Sequence, residues 1–260
     1  MATAPDENGL PLFYNDLLPL NRNDHATWKA TPINNSSFFA KQHAIPLTTD
    51  EFIAASRSYP ILFSAGDNPV PLALMGLHDG TNIFVQEDGT LRDNVYVPAY
   101  IRRYPFLLAR LQPDAEELSL CFDPTSGALG ATEDGEPLFD GDKPTQLVED
   151  VLKFCEQFEE AGARTQQFVE ELKKADLLMD GEASIQPDGA AQPYIYRGFR
   201  MIDEEKVRDM RGDTLRKMTQ NGMLPLIYAH LFSLQLMKDV FQQQSMMGLV
   251  PAPQAVPANA

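Results

Sequence analysis

The sequence predicts an α+β protein, with a strand-rich N-terminal half of short antiparallel strands and a helix-rich C-terminal half into which a β-hairpin returns. Three observations carry this. Between residues 60 and 90, short apolar runs alternate with turn-forming Gly, Asp and Asn. From Leu147 to Leu172, apolar residues recur at helical spacing. Strand character then reappears between 183 and 202, which argues for one interleaved domain over two separate ones.

Along the chain, Leu17-Leu18-Pro19-Leu20 and Thr27-Trp28-Lys29 read as short strands. Thr48 followed three residues later by Glu51 is a capping box, in which a hydroxyl and a carboxylate satisfy the free N–H groups of a helix start. It opens a short helix through Phe52, Ile53 and Ala55, which Pro60 ends. Ile61-Leu62-Phe63, Leu72-Ala73-Leu74-Met75 and Asn82-Ile83-Phe84-Val85 follow as a strand meander, with Asp-Gly pairs among its turns. Leu118 to Phe122 is a further strand, and Pro137-Leu138-Phe139 a short one. In the second half, Leu147, Val151, Phe154 or Cys155, and Phe158, then Phe168, Val169 and Leu172, fit either two helices broken near Gly162 or one bent helix; Asp142 or Thr145 would cap it, with Pro144 in its first turn. Pro187-Asp188-Gly189 turns the hairpin that Tyr194 to Phe199 completes. Asp203-Glu204-Glu205 starts a helix with a possible break at Gly212, Asn221-Gly222 stops it, and a last helix spans about Leu224 to Gln244. Residues 1–245 are expected to form one domain and 246–260 a disordered Pro/Ala-rich tail.

The bulk composition narrows the function classes. With 43% hydrophobic residues in 260, the chain can bury a substantial core. Its net charge of −16 repels phosphate backbones and anionic lipid, so neither nucleic acid nor a membrane surface is an expected partner; a protein or peptide is. Cys121 and Cys155 both sit in apolar runs and read as buried free thiols rather than a disulfide framework. The N-terminus lacks the basic and apolar regions of a secretory signal, and the most apolar stretch, Met223 to Met237, is too short to span a bilayer. A soluble, cytoplasmic protein is the expectation.

Motifs for chemistry are few. His25, His43, His78 and His230 show no metal-ligand spacing, and neither a nucleophile elbow nor a glycine-rich phosphate loop is present. The sequence therefore predicts no metal and no cofactor. The acids Glu149, Asp150, Glu156, Glu159, Glu160, Glu170 and Glu171 fit a solvated helix face. One segment stands apart: Tyr96 to Phe106, YVPAYIRRYPF, sets Arg102 and Arg103 among Tyr100, Tyr104 and other aromatics in an otherwise acidic chain. Arginine pairs bidentately with carboxylates and stacks on aromatic faces. Two readings are open. These four residues bind a carboxylate or peptide terminus, or the arginines tie the strand-rich half to acidic helices while the aromatics fill the core.

That segment also carries a resemblance. Together with Gly76-Leu77, His43-Ala44-Ile45-Pro46-Leu47, Tyr59-Pro60-Ile61-Leu62-Phe63, Pro137-Leu138-Phe139-Asp140, Gly198 to Glu205 and Gly222 to Leu234, it is similar to the bacterial SapC family over about residues 10 to 240. The resemblance implies a tie to a bacterial surface layer, and to genes near TonB-dependent receptors and tryptophan-halogenase-like flavoenzymes. It implies no catalytic residues. The expected function is thus an accessory or interaction protein linked to cell-surface or peptide-modification systems. A metal-dependent peptide-modifying enzyme, drawing on His43, His78 and an acid, and a small-ligand or peptide-binding module are the alternatives.

Overall fold

The computed structural model describes residues 9–111, 117–187 and 192–250. In chain order the strands begin with β1 (Leu18–Pro19), β2 (Lys29–Ala30), β3 (Ala44–Pro46), β4 (Ile61–Ser64), β5 (Pro71–Leu74), β6 (Phe106–Ala109) and β7 (Ser119–Phe122). They continue with β8 (Leu129–Gly130), β9 (Glu136–Pro137), β10 (Phe139–Asp140), β11 (Lys143–Pro144), β12 (Leu178–Ile185) and β13 (Tyr194–Ile202). The helices are α1 (Arg22–His25), α2 (Phe52–Ala55), α3 (Ala99–Arg102), α4 (Gln146–Lys174), α5 (Glu204–Arg208), α6 (Gly212–Gln220), α7 (Met223–Ser233) and α8 (Leu236–Met246). This is the α+β arrangement the sequence predicts, with antiparallel strands and most helix in the second half.

The central sheet has five strands in the order β12-β13-β4-β5-β3. Its interleaving is explicit, because β13 pairs with β4 through Phe199↔Ser64 and Arg200↔Phe63. Ile61 and Phe63 of β4 enter the main core with Phe52, Tyr59 and Ile227, whereas Leu62 points to the other face against Leu74 and Met237. Both faces are covered, so β4 reads as a continuous apolar run rather than an alternation. The turn predicted at Pro187-Asp188-Gly189 falls partly on residues 188–191, outside the described residues, as do residues 251–260 of the expected tail.

The long helix α4 settles the choice left open at Gly162: it is one helix of 29 residues. Its N-terminal half packs through Val148 and Cys155 on a second core with Phe106, Phe122 and Leu138. From Phe158 onward it packs through Phe158, Phe168 and Leu172 on the main core. A glycine in a helix costs only about 1 kcal/mol relative to alanine, and buried contacts on both sides of Gly162 outweigh that. Thr145 occupies the cap position, while Pro144 lies in β11 ahead of the helix rather than in its first turn.

Three expectations need correction. Asn82 to Val85 is not a strand, for the buried Asn82 amide donates to the carbonyls of Phe39 and Gln42, and its oxygen accepts from Phe84 N. The side chain thus replaces the ladder, leaving one bridge between Val85 and Leu91. Gly212 opens α6 rather than interrupting a helix. The last helix is two. α7 is pinned to the sheet, since the Ser233 hydroxyl donates to His230 O at 2.6 Å and accepts from Ile61 N at 2.8 Å. α8 instead sends Met237 to the opposite sheet face, so the chain must change direction at Leu234-Gln235. Cys121 and Cys155 are buried and free, and burial pushes the Cys155 thiol up to about 11. No described helix is long and apolar enough to cross a membrane.

His230 joins α7 to β13 by accepting from Ile202 N at 3.1 Å through Nε2. Burial holds its pKa down, from 6.5 to about 4. The unfolded chain therefore takes up the proton first, and folded-state stability falls as pH drops from 6.5 towards 4. His230→Gln keeps an acceptor but cannot titrate. Between pH 7 and pH 5 the wild type should lose about 2 kcal/mol more stability than this variant, one pKa unit being worth about 1.4 kcal/mol. Urea unfolding at the two pH values measures the difference.

Candidate ligand-binding site

The segment from Tyr96 to Phe106 passes from an extended stretch into the single turn of α3, through a cis Tyr104–Pro105 peptide, and into β6. Its entry is fixed by one carboxylate. Glu51 Oε2 accepts from Thr48 N and from the Thr48 hydroxyl, both at 2.9 Å. Glu51 Oε1 accepts from Ala99 N at 2.6 Å and from the Tyr96 hydroxyl at 3.1 Å. The Tyr59 hydroxyl adds a bond to Tyr96 O, and Tyr96 N donates to the Ser58 hydroxyl. The capping residue of one helical turn therefore also ties down the N-terminus of α3.

Successive residues on a helix project about 100° apart, so Arg102 and Arg103 diverge. Arg103 turns inward, its side chain 2% exposed. The guanidinium carbon lies 4.3 Å from the Tyr100 ring centroid and 4.4 Å from that of Phe158, with Tyr14 at 5.9 Å. The nearest carboxylate oxygen, Glu159 Oε1 on α4, is 3.8 Å away, and neither Nε nor Nη2 has a hydrogen-bond partner. The cation is held mainly by aromatic faces. Tyr14 donates to Phe106 O at 2.7 Å, and burial raises its pKa well above the ordinary tyrosine value.

Arg102 turns outward to a groove of about 530 Å³. Its Nε donates to Val97 O at 3.0 Å and Nη2 to the Tyr96 hydroxyl at 3.3 Å, while the guanidinium stacks over Phe154 at 5.2 Å. No carboxylate lies within 4.0 Å of it among the described residues, and these bonds leave Nη1 open. The YVPAYIRRYPF segment lines one wall with Val97, Ile101, Arg102, Tyr104, Pro105 and Phe106. The remaining walls are largely apolar, including Ile33, Phe38, Leu129, Leu147 and Val151, and the acid Glu136 also borders the space.

The two tyrosines differ as well. Tyr104 stacks on Phe38 with ring centroids 4.4 Å apart and planes 17° from parallel. Burial, reinforced by Asp123, pushes its hydroxyl up to about 12. It lines both the groove and a second, more polar chamber of about 510 Å³ with Asn15, Asn35 and Thr125. Tyr100 is fully buried between Phe13 and Phe158 and lines neither space.

The histidines lie elsewhere. His43 borders a cavity of about 200 Å³ with Tyr196 and Phe199. Its Nδ1 is 3.4 Å from Asp79 Oδ1, near enough for an ion pair but not aligned as a hydrogen bond. His78 bonds to Gln244 at 2.6 Å and is close enough to His43 that the two charges would repel; burial and that repulsion lower its pKa. Neither approaches Arg102 or Arg103 as a shared pocket lining. Among the described residues, no three His, Cys, Asp or Glu side chains are grouped so as to hold a metal ion.

A family model described as SapC matches residues 20–240. The chain belongs to the SapC family. No curated protein and no solved structure matches it. The SapC match takes in every element that builds the groove, from Ala30 to Val151. Within this SapC chain, sequence reasoning picked out Arg102 and Tyr104 as site residues but missed Phe38, Glu136, Leu147 and Val151, which come from three other stretches. It also read Glu51 only as a helix cap; the capping box was the one signal that this carboxylate is engaged.

Two variants test this construction. Glu51→Ala strands the N–H groups of Thr48 and Ala99 and the Tyr96 hydroxyl, and should cost about 3–5 kcal/mol, the range for breaking a buried charged network; Glu51→Gln, which keeps an acceptor, should cost less than half of that. Chemical denaturation compares the two. Arg103→Ala opens a cavity between Tyr100 and Phe158 and should cost about 3 kcal/mol, whereas Arg103→Met fills the space and should recover most of it. Equal losses in both Arg103 variants would show that the charge, not the packing, is what α4 needs.

Proposed function

We propose that this SapC-family chain is an accessory protein that binds a peptide or peptide-like ligand, an apolar side chain filling the groove and a terminal carboxylate pairing with Arg102. The observation that carries the reading is the open guanidinium edge on a largely apolar wall. Arg102 is oriented by Val97 O and the Tyr96 hydroxyl and is uncommitted to any acid within ion-pair distance among the described residues. What suits an external anion is the setting: an oriented guanidinium with an open edge at the rim of an apolar space. The volume falls within the range of small-molecule and peptide-side-chain pockets, and the fork geometry of arginine selects carboxylates. Arg103 and Tyr100 stiffen the wall from behind and Tyr104 forms part of its face. Such binding agrees with the expected role as partner in a cell-surface or peptide-modifying system, where a bound peptide is held for another protein.

The test uses the full chain, immobilised, and a pool of random hexapeptides with free or amidated C-termini, with retained species read by mass spectrometry. Free carboxyl termini preceded by apolar residues should be retained, and amidation or Arg102→Gln should lower retention about tenfold or more, as for loss of a charge-assisted hydrogen bond. Arg102→Lys should restore only part of it. Retention indifferent to amidation and to Arg102→Gln, in variants folded by circular dichroism, would remove this reading.

A further inference from the structure

The groove carries a second, opposite charge. Glu136 lines the same space as Arg102, fixed on β9 by pairing with Ala30 of β2. Gly135 before it takes φ +106°, and a Cβ there would come within 2.6 Å of Ala30 O, so the turn into Glu136 favours glycine. No ion pair joins Glu136 to Arg102 or to any other described cation. One anion and one cation thus border a mainly apolar space without neutralising each other. From this we infer that the ligand is a zwitterion: a short apolar peptide with both termini free, its carboxylate at Arg102 and its ammonium at Glu136. The inference rests on the Arg102 reading above and adds the recognition of the other end.

Chemistry separates this from a peptide C-terminus extending out of a longer chain. A segment that continues beyond the groove has no ammonium to offer, and where it covered the exposed Glu136 it would strip water from the carboxylate without replacing it. A free amino terminus removes that cost and supplies hydrogen-bond donors to the carboxylate.

The experiment uses the full chain and a pool of random tripeptides in three forms: free at both ends, N-acetylated, and C-amidated. Retention on wild type should fall about fivefold on acetylation, the size of a partly exposed ion pair. Glu136→Gln should abolish the discrimination between free and acetylated peptides while keeping that between free and amidated ones, and Arg102→Gln should do the reverse. If wild type retains acetylated and free tripeptides equally but still rejects amidated ones, the zwitterion inference is overturned and the carboxylate reading stands. If no form is retained above the Arg102→Gln background, both are overturned.

Discussion

The arrangement around the groove depends on where the carboxylate of Glu51 sits. Burying an anion is costly unless its lone pairs are filled, and here four donors fill them: Thr48 N, the Thr48 hydroxyl, Ala99 N and the Tyr96 hydroxyl. Two belong to the turn that Glu51 itself caps, two to a segment 45 and 48 residues further on. The bonds are mutually conditional, since moving the segment would strand the carboxylate and losing the carboxylate would strand both N–H groups. The start of α3 is thereby fixed, and with it the direction in which Arg102 and Arg103 project. A single short turn has little helical stability of its own, so its orientation comes from this anchor and from Arg103 packing against α4.

The two adjacent arginines show how one dipeptide can serve structure and surface together. About 100° of rotation places Arg103 among Tyr100, Phe158 and Tyr14, and Arg102 over Phe154 at the groove. Both touch α4, from neighbouring turns of that helix. The helix meets the second core through Cys155 and the main core through Phe158. Arg103 stands where these cores join. The residues of the YVPAYIRRYPF segment therefore divide between a buried packing role at Arg103 and an exposed face of the groove at Arg102.

Much of the fold was legible because it rests on local rules. The capping box at Thr48 and Glu51, the returning hairpin, the Asn221-Gly222 stop and the buried cysteines each follow from a few neighbouring residues. What was not legible depends on partners distant in sequence. Asn82 leaves the strand pattern because Phe39 and Gln42 offer it carbonyls. The last helix divides because His230 and Ser233 are engaged by β13 and β4 while Met237 serves the other face. Gly162 does not break α4 because buried side chains anchor the helix on both sides of it. At the site, aromatic and arginine enrichment pointed to one wall; the opposing walls, from Ile33, Phe38 and Leu147, look like any other apolar positions until the fold gathers them.

Net charge then decides what kind of ligand such a groove can admit. At −16 the chain repels anions at long range, and screening confines that repulsion to roughly 8 Å at physiological salt. An isolated carboxylate would approach against the field and gain only the short-range pairing with Arg102. A molecule with an ammonium at its other end has no net charge to repel, and Glu136 lies on the wall where that end would come to rest. That long-range field is indifferent to a zwitterion, so the acidity of the chain and the open guanidinium edge of Arg102 favour the same ligand chemistry.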